Sequence, residues 1–316
     1  MMVGANQGLL ALCESRTAAD HDLMTKHITV GFDGTPSSSE AVSWAAGEAA
    51  MMGASLRIVT CFDIPVDGSG YGYGYGYGDA ISFLEKAARR SSLAEETAIR
   101  SSHPNISVTS VIAPGPPLPV LLEGLDHDDL VVVGTSAHGA MAAFWLGSTP
   151  RSLVRRSPCP VVIVRGRATE GRPNRVVVGV DGSDASNVAL SWAEDEADRC
   201  HAELVIVHGW NDPYAPVHAR NSPARDLIRV DATRVLDQAE THAAGHNSSH
   251  VTGLLVAASP ATALLGTLKD GDLLVVGSRG RGALASTVFG STVNGIVEQC
   301  AVPVVVVHPS ENHDTS

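Results

Sequence analysis

A chain of 316 residues, 44% of them hydrophobic, is long and apolar enough to bury two cores. Its 34 acidic side chains outnumber its 22 basic ones, and the net charge of −12 argues against nucleic acid or an anionic membrane as a main partner. No apolar run approaches the roughly 20 residues that span a bilayer, and residues 1–23 lack the basic start of a secretory signal. The cysteines lack C-x-x-C spacing, which favours a reduced cytoplasm. They are Cys13, Cys61, Cys159, Cys200 and Cys300.

Strands and helices alternate along the chain, twice in the same order. The first five strands are predicted at 27–32, 56–62, 106–112, 130–133 and 161–164, with helices at 37–52, about 80–101, 118–125 and 149–156. The next five strands are predicted at 176–180, 204–208, 251–256, 273–276 and 304–307, again with helices between them. These strands are continuous runs of Val, Leu and Ile, which is typical of strands buried on both faces of a parallel sheet. The alternation predicts a doubly wound α/β fold, in which ligands bind at the carboxyl ends of the strands.

The sequence itself is duplicated. Segment 30–49, VGFDGTPSSSEAVSWAAGEA, returns at 178–197 as VGVDGSDASNVALSWAEDEA. Asp33 therefore corresponds to Asp181, and Trp44 to Trp192, at an offset of 148 positions. Later, segment 132–149 matches segment 275–292 at an offset of 143. Two copies of about 145 residues indicate two tandem domains, because solenoid repeats have periods of roughly 20 to 50 residues.

A glycine-rich stretch at 275–292, VVGSRGRGALASTVFGST, predicts an anion site in repeat 2. Its glycines follow a predicted strand, and a serine and a threonine come next, where a helix begins. Glycines leave backbone N–H groups uncovered, and a helix N-terminus adds its own free N–H groups and a positive dipole end. Phosphate is the usual occupant of such a cradle. The alternative is a tight strand–helix turn that binds nothing.

These residues resemble the universal stress protein family. The spacing G-x2-G-x9-G-S from Gly277 to Ser291 matches the family's nucleotide-binding signature, and the VGVDGS start and PVVVV end are also similar. The resemblance covers about residues 26–308 as two tandem domains. It implies in each domain a five-stranded parallel sheet of order 3-2-1-4-5 with helices on both faces. It also implies that ATP, with Mg²⁺, binds on the glycine loop.

The resemblance further implies which residues form the nucleotide site. In repeat 2 they are Asp181, Gly209 (beside adenine), Gly277, Arg279, Gly280, Gly290, Ser291 and Thr292. In repeat 1 the corresponding positions are Asp33, Cys61, Gly134, Gly147, Ser148 and Thr149. Ala137 stands where repeat 1 should have its second glycine. If that position needs a positive φ, alanine costs about 1 kcal/mol there. Repeat 2 is therefore predicted to be the main ATP site.

Other polar residues have simpler explanations. Asp33 and Asp181 could act only as N-caps of the helices that follow them. His242 and His246 are four positions apart but lack the glutamate of an H-E-x-x-H zinc motif. The acidic run at 126–129, DHDD, corresponds to KDGD at 269–272, which indicates a polar turn in both repeats. No metal site of the protein's own is predicted.

The matches divide the chain into two domains with short flanking segments. A first domain at 24–165 would follow an extension at 1–23 that is expected to be flexible. A linker at 166–173 would lead to a second domain at 174–309 and a tail at 310–316. Repeat 1 alone carries an insert at 68–78 in which glycine and tyrosine alternate, expected to be a mobile loop or else an aromatic lid or tether. The two apolar last strands would be open edges, so the domains are expected to pair within the chain; a homodimer of whole chains stays open.

Three functions remain open. The first is an ATP-binding regulator in a stress or dormancy response, located in the cytoplasm. The second is a binding protein for another adenine nucleotide, AMP or cyclic AMP. The third is an ATP-cleaving enzyme of a related α/β superfamily, which the missing S-G-G-x-D-S loop argues against. The P-loop motif and the G-x-S-x-G elbow are also missing, so no catalytic residue is predicted, although slow ATP hydrolysis would be compatible.

Overall fold

The computed structural model describes residues 27–63, 77–135, 148–165, 172–211, 223–244, 250–280 and 291–309. Repeat 1 contains β1 (His27–Gly31), α1 (Pro36–Met52), β2 (Ser55–Phe62), α2 (Tyr77–Ser102), β3 (Val108–Pro114), α3 (Pro117–Leu122), β4 (Leu130–Gly134), α4 (Ser148–Arg156) and β5 (Val161–Val164). Repeat 2 contains β6 (Arg175–Gly179), α5 (Asp184–Cys200), β7 (Glu203–Gly209), α6 (Pro223–Ala244), β8 (Val251–Val256), α7 (Pro260–Thr267), β9 (Asp272–Gly277), α8 (Ser291–Gln299) and β10 (Val304–Val307). The predicted α/β fold of two tandem domains is confirmed.

The strands form a single sheet of ten, in the order β3-β2-β1-β4-β5-β10-β9-β6-β7-β8. Within each repeat all neighbouring strands are parallel. The first strand of each repeat lies in the middle, between the second and the fourth. The chain therefore reverses its winding direction between β1 and β4, and between β6 and β9. A crevice at such a point, outside the carboxyl ends of the strands, is where doubly wound folds bind ligands.

Helices cover both faces of this sheet. Helices α1, α2, α5 and α6 bury their apolar side chains against one face, where Trp44 and Trp192 also pack at the edge of the core. Helices α3, α4, α7 and α8 cover the other face. Both cores contain residues of the two repeats. Of the helices that the structure describes, none has the length and apolar character needed to cross a membrane.

The two repeats meet at their last strands. Strands β5 and β10 pair antiparallel, with Val162 opposite Val305 at the centre of the ladder. The strands of repeat 1 therefore run opposite to those of repeat 2, and their carboxyl ends lie at opposite edges of the sheet. Beside this junction, Arg199 of α5 contacts Glu48 of α1 at 3.2 Å and also pairs with Glu196.

Candidate nucleotide site

Repeat 1 holds a carboxylate directly after β1. The Oδ1 atom of Asp33 accepts hydrogen bonds from the backbone N–H of Thr35 at 3.0 Å and from its hydroxyl at 2.6 Å. Thr35 is the N-cap of α1, where its side chain accepts from the N–H of Ser38. Burial alone would raise the pKa of Asp33, but hydrogen bonds from Thr35 and Ser38 outweigh burial and lower the pKa below its ordinary value. The carboxylate is therefore ionised at neutral pH and fixed against the start of the helix.

Repeat 2 builds the same turn. Asp181 Oδ1 accepts from the backbone N–H of Ser183 at 3.0 Å and from its hydroxyl at 2.6 Å. Ser183 is the N-cap of α5 and accepts from the N–H of Ser186. The alternative that the two aspartates themselves cap the helices is therefore wrong. Each aspartate instead orients the residue that does the capping.

The first glycine of each loop is required by packing between strand and helix. A Cβ atom added at Gly277 would lie 2.6 Å from the carbonyl oxygen of Ala185, and one at Gly134 would collide with the carbonyl oxygen of Ser37. Both oxygens belong to the first turns of α5 and α1, so they cannot move away cheaply. These glycines thus allow the loop to approach the helix N-terminus, whether or not a ligand is present.

The second glycine of repeat 2 meets the aspartate. A Cβ at Gly280 would lie 2.5 Å from Oδ2 of Asp181. The structure therefore brings together two predicted site residues from the loops after β6 and β9. The possibility of a positive φ at this position is wrong, since Gly280 is not among the positive-φ glycines, whereas Gly182 has φ 73°. Glycine is needed here for space beside a carboxylate.

Five of the six residues predicted for the repeat 1 site surround one cavity of about 380 Å³. Its lining includes Asp33, Cys61, Gly134, Ser148 and Thr149. This volume lies within the roughly 300–1,000 Å³ of ligand pockets in proteins. Ser148 and Thr149 begin α4, so free backbone N–H groups and the positive end of a helix face the same space as an ionised carboxylate.

The second strands differ between the repeats. Gly209 ends β7, and a Cβ there would lie 2.8 Å from Cα of Pro260 and 3.0 Å from Cβ of Ala263. Glycine at this position lets α7 pack closely on the strand. Its counterpart Cys61 instead lines the cavity. Burial, and then the charge of Asp63, raise the pKa of its thiol, so it is a neutral group at physiological pH.

Several predicted positions lie outside the described residues. They are Gly147 and Ala137 in repeat 1 and Gly290 in repeat 2, together with residues 68–76 of the insert. The last two residues of the insert, Tyr77 and Gly78, begin α2, so this helix starts earlier than the predicted position near residue 80. Thr292 lies in the first turn of α8, which begins at Ser291. Arg279 is exposed on the loop after β9.

The sequence did not single out three residues that also line the repeat 1 cavity. Thr135 follows Gly134, Gly115 lies in the turn between β3 and α3, and Pro117 is the first residue of α3. Gly115 has φ 94°, a conformation that favours glycine. The sequence G-P-P at 115–117 was the available signal for a turn here. Its place beside β1 and β4 depends on the strand order.

The polar clusters considered for metals have structural roles. Asp129 accepts from the backbone N–H groups of Asp126 at 2.8 Å and His27 at 3.0 Å. Asp272 closes the equivalent turn in repeat 2 by accepting from Lys269 at 2.7 Å. Within the described ranges, no group of three His, Cys, Asp or Glu side chains could hold a metal ion. The polar-turn interpretation of both runs is confirmed.

Comparison with known proteins now decides the family. The model of the universal stress protein family matches residues 24–165 and again 173–308. The chain belongs to the universal stress protein family. A universal stress protein of Mycobacterium tuberculosis is 33% identical over 299 residues, covering 90% of this chain and 97% of that protein. A second one from the same organism is 30% identical over 300 residues and covers 90% and 96%.

A solved structure shows the same fold along the tandem chain. The crystal structure of a universal stress protein from Archaeoglobus fulgidus superposes with a TM-score of 0.65 at 18% identity. The match covers 90% of this chain and 99% of that one. The likeness in fold thus extends over nearly the whole of both chains.

Proposed function

We propose that this universal stress protein binds ATP, with Mg²⁺, and acts as a nucleotide-dependent regulator in a stress or dormancy response. One observation carries the proposal: an ionised carboxylate, close-packed glycines and a helix N-terminus surround a single cavity at the switch point of repeat 1. The helix N-terminus suits phosphate oxygens. The carboxylate suits a hydroxyl or amino group of the nucleotide, or a Mg²⁺ ion shared with the phosphates.

We propose that repeat 2 is the tighter of the two sites. It has the glycine pair Gly277 and Gly280, and the second of these leaves room for Asp181 Oδ2. Repeat 1 has Ala137 at the corresponding position. An added methyl group beside the carboxylate would displace it or narrow the space for the ligand. Repeat 1 is therefore expected to bind ATP weakly.

Calorimetric titration with ATP and Mg²⁺ tests the proposal. The full chain should bind one equivalent tightly and a second weakly. Asp181→Asn keeps an oxygen for Ser183 but removes the charge, and it should weaken the tight site at least tenfold, about 1.4 kcal/mol. Asp33→Asn should weaken or remove the second, weak binding step. Asp226→Asn, an exposed residue of α6, is the matched control for the loss of one negative charge.

The same titration separates the other nucleotides. Tighter binding of AMP or cyclic AMP than of ATP would contradict the assignment to ATP, and mass spectrometry of the co-purified nucleotide gives an independent answer. Release of ADP or pyrophosphate at a rate of many turnovers per minute would favour an enzyme instead. We further propose a cytoplasmic location, since four described cysteines, Cys61, Cys159, Cys200 and Cys300, are free thiols.

We also propose that the two repeats pair within one chain in solution. The β5–β10 ladder covers two apolar edges that would otherwise be exposed. Residues 174–309 expressed alone should therefore self-associate or aggregate, while the full chain stays soluble at equal concentration. An isolated repeat that sediments as a stable monomer would contradict this pairing. Dimers of whole chains would use other surfaces.

A further inference from the structure

One side chain joins the cavity of repeat 1 to a helix of repeat 2. Arg165 directly follows β5, and its Nε donates to the hydroxyl oxygen of Thr135 at 3.2 Å. Thr135 lines the repeat 1 cavity. The Nη1 of the same guanidinium donates to the backbone carbonyl of Glu298. Arg165 therefore holds the wall of one cavity and the C-terminal turn of α8 at the same time.

Helix α8 connects the Arg165 contact at Glu298 to the predicted site of repeat 2 at Ser291 and Thr292. The last carbonyls of a helix have no partner within it, and a cation there is favourable. The helix has nine residues. At about 1.5 Å per residue it is short enough to move as one rigid body. Its other end is the first turn, with Ser291 and Thr292. A displacement of Glu298 by Arg165 therefore also displaces the predicted phosphate residues.

The reverse link is made by His308. This residue follows β10 at the position that corresponds to Arg165, at the offset of 143. Its Nε2 donates to the carbonyl of Val154 in the C-terminal half of α4, and α4 begins at the repeat 1 residues Ser148 and Thr149. Burial lowers the pKa of His308, the hydrogen bond to Val154 opposes this shift, and the charge of Arg279 on the glycine loop of repeat 2 lowers the pKa further. The imidazole is therefore neutral. Val307, the residue before His308, lies opposite Gly277 and accepts from the backbone N–H of Ser278 at 2.8 Å, so His308 follows the start of that loop in the sheet.

We propose that Arg165 and His308 are positioning residues that couple the two nucleotide sites, so that ATP bound in one repeat changes the affinity of the other. The proposal rests on the proposed function. Each residue lies beside the glycine loop of its own repeat and contacts the C-terminal half of the helix that begins at the other repeat's site. If both residues only capped helices, their loss would lower stability but leave the two sites independent.

The test measures ATP binding to repeat 2 with and without a working repeat 1. In the otherwise unmodified chain, Asp33→Asn should change the repeat 2 affinity by about fivefold, the lower end of typical coupling. In Arg165→Met the same change should have no effect on repeat 2. Arg155→Met, which removes an exposed arginine from α4, is the matched control and should keep the fivefold difference. Arg165→Lys keeps the charge but cannot reach both partners, and it replaces Arg165→Met if the latter does not fold.

Hydrogen exchange provides a second measurement that needs only one occupied site. Saturation with ATP at repeat 2 should change the exchange rate of the Thr135 amide in the unmodified chain. That change should be lost in Arg165→Met. His308→Leu should remove the reverse effect on α4, and His308→Gln, which keeps a donor, should restore part of it.

The outcomes separate the two proposals. A chain that binds no adenine nucleotide would overturn the proposed function itself, and the coupling with it. Binding without coupling in the unmodified chain, or coupling that persists in Arg165→Met, would overturn this inference alone. Loss of both the fivefold difference and the exchange response in Arg165→Met, with binding retained, supports it.

Discussion

Repeat 1 and repeat 2 share one framework and differ where a nucleotide would contact it. Both use an aspartate to orient an N-cap, Thr35 or Ser183, and both need glycine where the fourth strand of the repeat meets a helix. They differ at other positions, among them Cys61 against Gly209, Ala137 against Gly280, and Arg165 against His308. The shared features are those that the fold itself requires. We propose that these differences make the two sites bind or respond unequally.

The largest expected effect tests the shared part of this comparison. Gly134→Ala and Gly277→Ala should each lower the free energy of unfolding by about 1–3 kcal/mol, because the added methyl group meets backbone atoms. Gly47→Ala and Gly266→Ala are matched controls with no atom within 4 Å of the added carbon, and they should be neutral or stabilise by about 0.5–1 kcal/mol. Urea unfolding measures all four. Equal stability of Gly277→Ala and Gly266→Ala would show that the close approach does not exist.

A second prediction concerns the exchange of the residues at one position where the repeats differ, Ala137 in repeat 1 and Gly280 in repeat 2. Gly280→Ala should weaken ATP binding to repeat 2 by about tenfold, or 1.4 kcal/mol, since the added Cβ would displace Oδ2 of Asp181. Ala137→Gly should strengthen repeat 1 by a similar factor. The double variant should then show the reverse order of affinities in a calorimetric titration. If Gly280→Ala binds ATP as tightly as the unmodified chain, the difference between Gly280 and Ala137 does not determine which repeat binds ATP more tightly.

The third and smallest effect concerns two buried glutamates, Glu48 of α1 and Glu194 of α5. Burial, and then the charge of Glu196, raise the pKa of Glu48 well above its ordinary value, while Arg199 opposes the shift. Burial, followed by the charges of Asp195 and Asp198, also raises the pKa of Glu194 to about 7. A raised pKa in the folded chain means that the protonated form is favoured there. Stability should therefore be greatest below about pH 4.5 for these groups and fall as the pH rises through their folded values.

Thermal unfolding between pH 5 and 8 checks this sign. Glu48→Gln should flatten the decline of the melting temperature with pH, because glutamine cannot lose the proton. Glu85→Gln removes a glutamate that forms an exposed pair with Arg89, and it should leave the decline unchanged. A decline of equal steepness in Glu48→Gln and the unmodified chain would show that Glu48 titrates as in the unfolded state.

The order of elements was predictable because it depends on local patterns. Runs of Val, Leu and Ile located the strands to within a few residues, and the duplication indicated two domains. The sequence also identified Asp33, Gly134 and Thr149, which the structure brings together around one cavity. The glycines of the two loops were expected to uncover backbone N–H groups or to adopt a positive φ, whereas the structure requires them for lack of space. Their neighbours are helix backbone and a carboxylate, and such distances arise only after the helices have packed on the sheet.

Contacts between the repeats could not be predicted from either copy alone. Glu48 and Glu196 each look like an ordinary helix charge in sequence, yet they are only 3% and 0% exposed. The contacts of Arg165 and His308 are equally hidden in the sequence, since their hydrogen-bond partners lie 133 and 154 positions away. These contacts depend on the antiparallel pairing of β5 and β10. Alternating strands and helices predict the fold of each repeat but do not specify that junction.

Arg199 makes a contact that two repeats in one chain can form but a symmetric dimer of identical chains cannot. A dimer of identical chains can place a side chain near its symmetry axis only in pairs, so it would have two guanidinium groups there or none. In this chain Arg199 corresponds to Met51 at the offset of 148, and a single guanidinium serves both Glu48 and Glu196. One positively charged group thus lies between two corresponding glutamates, without a counterpart of its own in repeat 1. Each half can change its side of the junction by itself, which no substitution in a homodimer can do.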